Sequence, residues 1–393
     1  MVTEAQAGDR AAPRRTSGRR VAVDATPLLG QPTGVGAFCA GLLGGLAERP
    51  DVSVIAFAVS WRRRHGIVGS LPAGVPACGR AMPARPLHLA WRHFDWPPLE
   101  WWTGPCDVVH GTNFVAPPTR KAARVLTVHD LTVVKFPELC CPSVLAFPGL
   151  IKRAVQRGAW VHTPSAFVAG EVLDAFGADA ARVRAVHSGV PALPSPGEEE
   201  TAAAAALLPP GSSRVVLAVA TAEPRKDLPG LVRAFDQLAA DHPDVALVLA
   251  GPPGWGEAAL GEAVAASPFA ARVVRTGWVD DGVLAALYAR ASVLAYPSRY
   301  EGFGFPPLQA MAAGVPVVAT DVGALGEVLG DAAVLVPPAE PDRLAEAIVT
   351  ALDDDDLRRR LVAAGHRRVA TFTWARTAEG LARLYEDAAA ARP

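Results

Sequence analysis

Residues 298 to 316 read Ser298-Arg299-Tyr300-Glu301-Gly302-Phe303-Gly304-Phe305-Pro306-Pro307-Leu308-Gln309-Ala310-Met311-Ala312-Ala313-Gly314-Val315-Pro316. An apolar run from Ala291 to Tyr296 comes before them and predicts a buried strand. Pro306 and Pro307 suit the first turn of a helix, because that turn does not need their missing N–H groups. Gly314 is typical of a helix end, and a second apolar strand follows it. The pattern therefore predicts a strand, a loop, a helix and a strand.

The loop in this stretch carries a candidate ligand site. Glu301 and the backbone amides of Gly302, Phe303, Gly304 and Phe305 fall where the strand ends and the helix begins. Free amides and the helix dipole at such a point favour an anion, commonly a phosphate. With Gln309 about one turn into the helix, the geometry suits a nucleoside diphosphate that carries a sugar. An ordinary strand-to-helix corner capped by an acid is the alternative.

The same alternation of strand and helix extends over the chain on both sides of a break in composition. Residues 191–213 hold prolines, glutamates and an alanine run without a strand signal, and they are the predicted linker. We predict a disordered tail over 1–19, an N-terminal domain over 20–190 and a C-terminal domain over 214–393. The fold class is α/β, with two doubly wound Rossmann-like domains facing across a cleft. The last helix is a candidate to pack back on the N-terminal domain.

Bulk properties exclude several classes of protein. The chain has 393 residues, 50% of them hydrophobic and 20% charged, and a formal net charge of −1, which argues against a nucleic-acid binder. The five cysteines show no Cys-x-x-Cys spacing, so a reducing cytoplasm is expected. No apolar run reaches the roughly 18 residues of a spanning helix. Asp24 interrupts the first apolar stretch, which disfavours a signal peptide. Any membrane contact is expected to be peripheral.

Two places in the first half carry candidate site residues at strand ends. Gly34 and Gly36 lie in a glycine loop after the first strand, but a dinucleotide fingerprint would need a third glycine where Cys39 stands. A tight turn is the alternative. His129 and Asp130 end another apolar strand, at the edge where open α/β sheets bind ligands. A hydrogen-bonded structural histidine is the alternative there.

Further candidates concern an acceptor. Asn113, the only asparagine in the chain, follows a short strand. Trp101 and Trp102 belong to a tryptophan-rich segment with basic neighbours. Such a segment forms an acceptor groove, a membrane-interface patch or a loop packed over the core.

The second half begins with a strand and a loop that contains Arg225 and Lys226. Lys226 is the only lysine after residue 213. Two cations at a strand-to-helix junction suit a diphosphate, although solvated surface charges are the alternative. A later loop imitates a P-loop, but Glu257 and Ala258 replace the required Lys and Ser/Thr, which excludes a Walker-type NTPase there.

Taken together, the motifs resemble the retaining glycosyltransferases of the GT-B fold, family 4, and within them the bacterial mannosyltransferases. The resemblance covers the chain from about Val21 to its end. The motifs that carry it are, in chain order, Thr33-Gly34-Val35-Gly36, Val128-His129-Asp130, Glu223-Pro224-Arg225-Lys226, Thr276-Gly277-Trp278-Val279 and Glu301-Gly302-Phe303-Gly304-Phe305-Pro306.

This resemblance implies a role for each motif. Gly34 and Gly36 would let a loop approach the donor diphosphate, and His129 would lie at the reacting sugar. Arg225 and Lys226 would neutralise the leaving group. The remaining donor residues are expected to hold the nucleobase (Trp278, Val279), the sugar hydroxyls (Glu301) and the sugar and phosphate through backbone amides (Gly302, Phe303, Gly304, Phe305).

One position departs from the family pattern. Gln309 stands where the pattern has a second glutamate, which loses a charge-assisted bond to a ribose hydroxyl worth roughly 1–2 kcal/mol. The resemblance implies transfer of a hexose, with mannose from GDP-mannose favoured, with retention and without a metal or other cofactor. The acceptor would be a lipid-linked saccharide, a glycan or a natural product, and glycan biosynthesis would take place in the cytoplasm or at the inner face of the membrane. A non-catalytic nucleotide-sugar-binding protein with a degenerate site is the alternative, and a dehydrogenase is disfavoured by the missing fingerprint.

Overall fold

The protein is described by a computed structural model over residues 18–30, 33–62 and 66–392. It contains two parallel six-stranded sheets with the strand orders β2-β1-β3-β4-β5-β6 and β12-β11-β10-β7-β8-β9. The strands of the first sheet are β1 (Arg19–Asp24), β2 (Val52–Phe57), β3 (Val108–Gly111), β4 (Ala123–Thr127), β5 (Trp160–Thr163) and β6 (Val183–Ala185). The strands of the second sheet are β7 (Arg214–Val219), β8 (Val245–Ala250), β9 (Val273–Gly277), β10 (Val293–Tyr296), β11 (Val317–Thr320) and β12 (Val334–Val336).

Helices cover both faces of each sheet, which is why the central strands are apolar along their whole length. The helices up to the linker are α1 (Gly34–Ala47), α2 (Ala84–His93), α3 (Glu100–Thr103), α4 (Thr132–Lys135), α5 (Phe147–Gln156) and α6 (Ala166–Phe176). Those that follow are α7 (Glu198–Ala206), α8 (Leu228–Ala239), α9 (Glu257–Ala266), α10 (Asp281–Arg290), α11 (Phe305–Ala312), α12 (Leu325–Leu329), α13 (Pro341–Asp353), α14 (Asp355–Val369) and α15 (Trp374–Ala390).

The opening stretch has the predicted order of elements. It runs from β10 through a loop into α11, whose first turn contains both prolines, and then into β11. Gly304 precedes α11 with φ 104°, and Gly314 follows it with φ 74°. Both values lie in the left-handed region that a residue with a Cβ rarely adopts, so the two glycines fix where the helix begins and ends.

The predicted linker is more ordered than its composition suggested. Residues 198–206 form α7, which packs against α10, and Ala204 is buried in a core cluster of the C-terminal domain. Three glutamates in the first turn complement the helix dipole, and the alanines after them have the best helix propensity. The short run lacks an apolar stripe, so periodicity alone gave no helix signal.

The predicted disordered tail also ends earlier than expected. Arg19 already belongs to β1 and pairs with Val52 of β2. Residues 1–17, the rest of that prediction, lie outside the described residues.

The chain returns to the first domain at its end. Helix α15 packs against α1, and Leu381 and Tyr385 share a buried core cluster with Val21 of β1. The approach is close, since a methyl group at Gly41 of α1 would lie 2.1 Å from the ring of Trp374. The last helix is therefore part of the N-terminal core.

Candidate functional site

The carboxyl edges of the two sheets meet at one point. His129 follows β4 in the first domain, and the loop of Glu301 follows β10 in the second. A methyl group at Gly302 would lie 1.9 Å from the carbonyl oxygen of His129. Only a glycine permits this approach, so Gly302 is where the two halves of the predicted site touch.

A compact charge cluster lies beside this contact. Glu301 Oε1 accepts hydrogen bonds from Lys226 Nζ at 2.6 Å and from Ser298 Oγ at 2.6 Å. Arg225 Nη1 lies 2.9 Å from Glu301 Oε2. The Glu301 side chain is only 7% exposed, and those of Arg225 and Lys226 are 15% and 13% exposed. The fold thus brings together Glu301, Arg225 and Lys226, the three residues predicted from the sequence to contact the sugar and the diphosphate.

The pKa of Glu301 shows how strongly the cations hold it. Burial by itself raises this pKa, but the charges of Arg225 and Lys226 outweigh burial and lower it to about 2. Burial and the neighbouring Arg225 lower the pKa of Lys226. Glu223 Oε2 lies 3.4 Å from Arg225 Nη2 and adds a second carboxylate. An anionic ligand therefore has to replace carboxylate oxygens at these two cations.

Local structure explains how the cations reach Glu301. Residues Pro224–Lys226 form a short 3-10 turn after β7, and Asp227 then takes φ 44° before α8 begins. Lys226 Nζ also donates to the hydroxyl of Tyr296, the last residue of β10, at 2.8 Å. Because β7 and β10 are neighbours in the sheet, their loops lie side by side.

The two glycines of the predicted loop lie in different environments. Thr33 caps α1 by accepting from the amide of Gly36 at 3.1 Å, so both glycines lie in the first turn of the helix. A methyl group at Gly34 would lie 3.7 Å from Phe305, so Gly34 faces the first residue of α11 across the cleft. At Gly36 it would lie 3.3 Å from the carbonyl oxygen of Pro27. Gly36 therefore packs inward and does not approach a ligand from a loop as predicted.

His129 is held as a neutral imidazole. Its Nε2 donates to the carbonyl oxygen of Thr112 at 2.7 Å, and its ring forms T-shaped pairs with Phe38 and Phe114, whose ring centroids lie 5.1 and 5.8 Å away. Burial lowers its pKa. With the proton on Nε2, the other ring nitrogen is an acceptor at neutral pH.

One candidate residue was missed by sequence reasoning. Asp24 ends β1 and is 9% exposed, and its Oδ1 accepts from the Thr26 amide at 2.8 Å and hydroxyl at 2.5 Å. Burial raises its pKa to about 6. Thr112, which binds His129, donates its hydroxyl to the Asp24 carbonyl at 2.6 Å. A polar residue that ends an apolar strand was the available signal, the same one that identified His129.

Two of the four predicted acceptor residues lie beside the site. Asn113 is half-buried just after β3. Asp130 Oδ1 accepts from the amide of Thr132 at 2.9 Å. The Asp130 carboxylate also helps to raise the pKa of Arg225, against the lowering by burial, together with Glu301 and Glu223.

Trp101 and Trp102 lie elsewhere. Glu100, next to them in α3, accepts from the amides of Arg120, Lys121 and Ala122, immediately before β4. Helix α3 is therefore anchored at the amino end of the strand that carries His129 at its carboxyl end. The indole of Trp102 donates to Ala81, and Trp101, which is 52% exposed, packs on Trp96. The acceptor-groove prediction for this pair is wrong because the chain folds them to the other end of β4.

The remaining predicted donor residues lie around the start of α11 and after β9. Gln309 Nε2 donates to the carbonyl oxygen of Pro191 in the linker at 3.3 Å. The rings of Phe303 and Phe305 pack edge to face, with their centroids 5.5 Å apart. Trp278 follows β9 and is 52% exposed, while Val279 packs against the core. An elongated ligand that contacts Glu301 and Trp278 would have to cross the ends of β7 and β8, which lie between β10 and β9.

The part of the chain that the structure describes holds neither a candidate metal cluster nor a helix able to span a membrane. Within 18–30, 33–62 and 66–392, no group of three or more His, Cys, Asp or Glu side chains is assembled that could hold a metal ion. In the same ranges, no helix combines the length and apolar character needed to cross a membrane.

Two family models match the chain. One, described as glycosyl transferases group 1, matches residues 199–368, and another, glycosyltransferase family 4, matches residues 32–192. The O-antigen chain mannosyltransferase B of Escherichia coli is 30% identical over 274 residues, which are 68% of this chain and 71% of that protein. A phosphatidyl-myo-inositol mannosyltransferase of Mycobacterium tuberculosis is 37% identical over 174 residues, which are 42% of this chain and 45% of that protein.

Solved structures are similar over nearly the whole chain. Sucrose-phosphate synthase from Thermosynechococcus elongatus has a TM-score of 0.72 at 21% identity and covers 94% of this chain and 98% of its own. WaaG, a glycosyltransferase involved in lipopolysaccharide biosynthesis, has a TM-score of 0.70 at 17% identity, with coverages of 92% and 98%.

Proposed function

Because the chain belongs to the group 1, family 4 glycosyltransferases, we propose that it is a retaining hexosyltransferase that moves mannose from GDP-mannose to a hydroxyl acceptor. Membership confirms the predicted glycosyltransferase activity and the GT-B fold. The buried cluster of Glu301, Arg225 and Lys226 at the contact between the two domains carries the proposal. The choice of mannose is supported by the names of the relatives at 30–37% identity.

The cluster suggests how the donor binds. The diphosphate would take the place of Glu301 at Arg225 and Lys226, because its oxygens carry more charge than one carboxylate. The released carboxylate would then accept hydrogen bonds from hydroxyls of the donor sugar, next to Gly302. With its pKa lowered to about 2, Glu301 is ionised at neutral pH and accepts without losing a proton.

Transfer breaks the bond between the anomeric carbon and the diphosphate oxygen and forms a bond from that carbon to the acceptor oxygen on the same face. Arg225, Lys226 and the amino end of α11 would stabilise the negative charge that develops on the leaving diphosphate. The acceptor hydroxyl would give its proton to a leaving phosphate oxygen, so this route needs no protein base and no metal. The free ring nitrogen of His129 would accept from a hydroxyl at the reacting sugar.

The proposed acceptor side is formed by two polar side chains of the N-terminal domain. Asn113 and Asp130 lie after β3 and β4, where an acceptor hydroxyl would meet the donor sugar. A lipid-linked saccharide, a glycan or a natural product all present such a hydroxyl. For a lipid-linked acceptor we propose peripheral contact with the inner face of a membrane through the exposed side chains of Leu89, Phe94 and Trp96, which have exposed arginines among their neighbours in α2.

A donor screen tests the proposal. We expect GDP-mannose to raise the melting temperature more than UDP-glucose or other nucleotide sugars, because a tight ligand stabilises by mass action. Slow release of GDP from GDP-mannose, unchanged by EDTA, is expected without acceptor. Stabilisation by a nucleotide sugar without turnover in any acceptor mixture would instead support the non-catalytic binding protein. A larger shift and faster turnover with another donor would contradict the choice of mannose.

A further inference from the structure

Helix α6 of the N-terminal domain makes an unusual set of contacts with the C-terminal domain. Ser165, which caps α6, donates its hydroxyl to the carbonyl oxygen of Gly302 at 2.9 Å. The next two amides, Ala166 and Phe167, donate to the two carboxylate oxygens of Glu327, each at 2.9 Å. The first turn of this helix is thus completed by residues from the other domain.

A second contact joins the following turn of α6 to the same loop. The Tyr300 side chain is buried, and its hydroxyl donates to the carboxylate of Glu171 on α6. The same hydroxyl accepts from the amide of Leu131 at 3.1 Å. Glu171 is 7% exposed and lies 2.8 Å from Lys135 Nζ. A hydroxyl from the C-terminal domain therefore satisfies two buried groups of the N-terminal domain.

These contacts surround the backbone of Glu301. Tyr300 and Gly302 are its immediate neighbours in the chain. The Glu301 carbonyl oxygen accepts from the amide of Ala324 at 2.9 Å, and Glu327 follows Ala324 by one turn in α12. The segment that carries Glu301 is therefore attached to α6 through both of its neighbours, Tyr300 and Gly302. It is attached a third time through Glu327 of α12.

The polar character of the contacts makes them sensitive to domain separation. An exposed helix end and a free carboxylate would exchange these bonds for water. A partly opened interface would leave the Tyr300 hydroxyl and the Leu131 amide buried without a partner, at a cost of about 1–3 kcal/mol for each group. The docked arrangement and the fully separated one are thus favoured over intermediates. The Arg225 and Lys226 contacts, by contrast, lie wholly within the C-terminal domain.

We propose that the amino end of α6, residues Ser165–Glu171, positions Glu301 for transfer by docking on Tyr300, Gly302 and Glu327. Tyr300 and Glu327 are then positioning residues, which act on the sugar through Glu301 and leave the nucleotide site intact. This inference rests on the proposed role of Glu301 at the donor sugar.

Two isosteric variants test it, Tyr300→Phe and Glu327→Gln. We expect each to lower kcat for the donor by 10-fold or more, while the Kd for GDP stays within 2-fold of the parent value. Glu346→Gln, at an exposed surface pair with Arg343, is the matched control and should change neither quantity. A kcat within 2-fold of the parent in both variants would overturn the proposal. So would equal losses in kcat and in GDP affinity.

Hydrogen exchange separates this inference from the proposed function. In the parent protein the amides of Ala166 and Phe167 should exchange slowly, and in Glu327→Gln they should exchange at least 10-fold faster. This measurement needs no turnover, so it tests docking even if no donor is ever transferred. Equal exchange in parent and variant would refute docking, whereas docking without transfer by any donor would count against the proposed function alone. Circular dichroism and a single melting transition establish that each variant is folded.

Discussion

Glu301 and Lys226 illustrate why single residues in this site are hard to replace. Their 2.6 Å contact is buried, and a buried charge that loses its partner is strongly destabilising. If the diphosphate binds as proposed, the same low exposure would strengthen each of its interactions with these cations. A site of this kind exchanges one set of ionic partners for another and never leaves its cations in an apolar environment.

Lys226→Ala is expected to reduce turnover by roughly 100-fold or more, because one charge-stabilising donor to the leaving group is lost. Steady-state kinetics with the best donor measure this change. Arg233→Ala removes an exposed cation from α8, the helix that follows Lys226, and is expected to keep normal turnover. Near-normal turnover of Lys226→Ala would contradict the assignment of a diphosphate clamp.

Gln309→Glu is expected to tighten donor binding about 5- to 30-fold, corresponding to roughly 1–2 kcal/mol for a charge-assisted bond to a ribose hydroxyl. The variant should also lose about 1 kcal/mol of stability, since a carboxylate would face the carbonyl oxygen of Pro191 in place of an amide donor. Isothermal titration and urea unfolding measure the two effects. Donor affinity equal to that of the parent would show that residue 309 does not reach the ribose.

At the scale of elements, α15 is held to the first sheet by a chain of buried hydrogen bonds whose direction is fixed. The carbonyl oxygen of Val186 can only accept, so His162 Nε2 carries a proton and His162 Nδ1 accepts from the Thr127 hydroxyl. Thr127 Oγ1 then accepts from His110 Nε2, and His110 Nδ1 accepts from the Tyr385 hydroxyl at 2.7 Å. Both imidazoles are neutral in this arrangement.

Tyr385→Phe is expected to lower the free energy of unfolding by about 1–3 kcal/mol, because His110 Nδ1 would remain buried without a donor. Urea unfolding at neutral pH measures the loss. Glu386→Gln changes an exposed side chain of the same helix and should stay within about 0.5 kcal/mol of the parent. An unchanged stability of Tyr385→Phe would argue against the hydrogen-bond chain.

At the scale of the whole molecule, buried titratable groups act on stability in opposite directions. Burial lowers the pKa of His162 to about 4 and that of His110 well below its usual value. Since the unfolded histidines bind protons near 6.5, stability is lost as the pH falls from about 6.5 to 4. Burial raises the pKa of Asp24 from 3.8 to about 6, so the folded state binds this proton more tightly than the unfolded state. Protonation of Asp24 therefore adds to the free energy of unfolding as the pH falls over nearly the same interval.

Asp24→Asn should separate these contributions. At pH 8 we expect the variant to be more stable than the parent by roughly 1–3 kcal/mol, because it no longer buries an ionised carboxylate. Its stability should then fall more steeply as the pH drops from 6.5 to 4, since protonation of Asp24 no longer offsets the loss caused by the buried histidines. Unfolding free energies at several pH values measure both. A variant less stable than the parent at pH 8 would contradict the raised pKa of Asp24.

The sequence by itself determined the parts of this protein that depend on near neighbours in the chain. Apolar runs, prolines at 306 and 307 and glycines at 304 and 314 specified the β10–α11–β11 unit, because helix starts, helix ends and strand periodicity are local. Polar and charged residues just after apolar strands identified His129, Arg225, Lys226 and Glu301, since the carboxyl ends of parallel strands share an edge.

Only the tertiary structure decided what depends on which elements are adjacent. Strand order brings Lys226 to Glu301 and takes Trp101 and Trp102 to the far end of β4. The packing of α15 and the docking of α6 on Tyr300 and Glu327 join residues more than 100 positions apart. The residues in these contacts carry no distinguishing local pattern. Their partners are set by how the two domains pack. That packing depends on the free energy of the whole chain and not on any local segment.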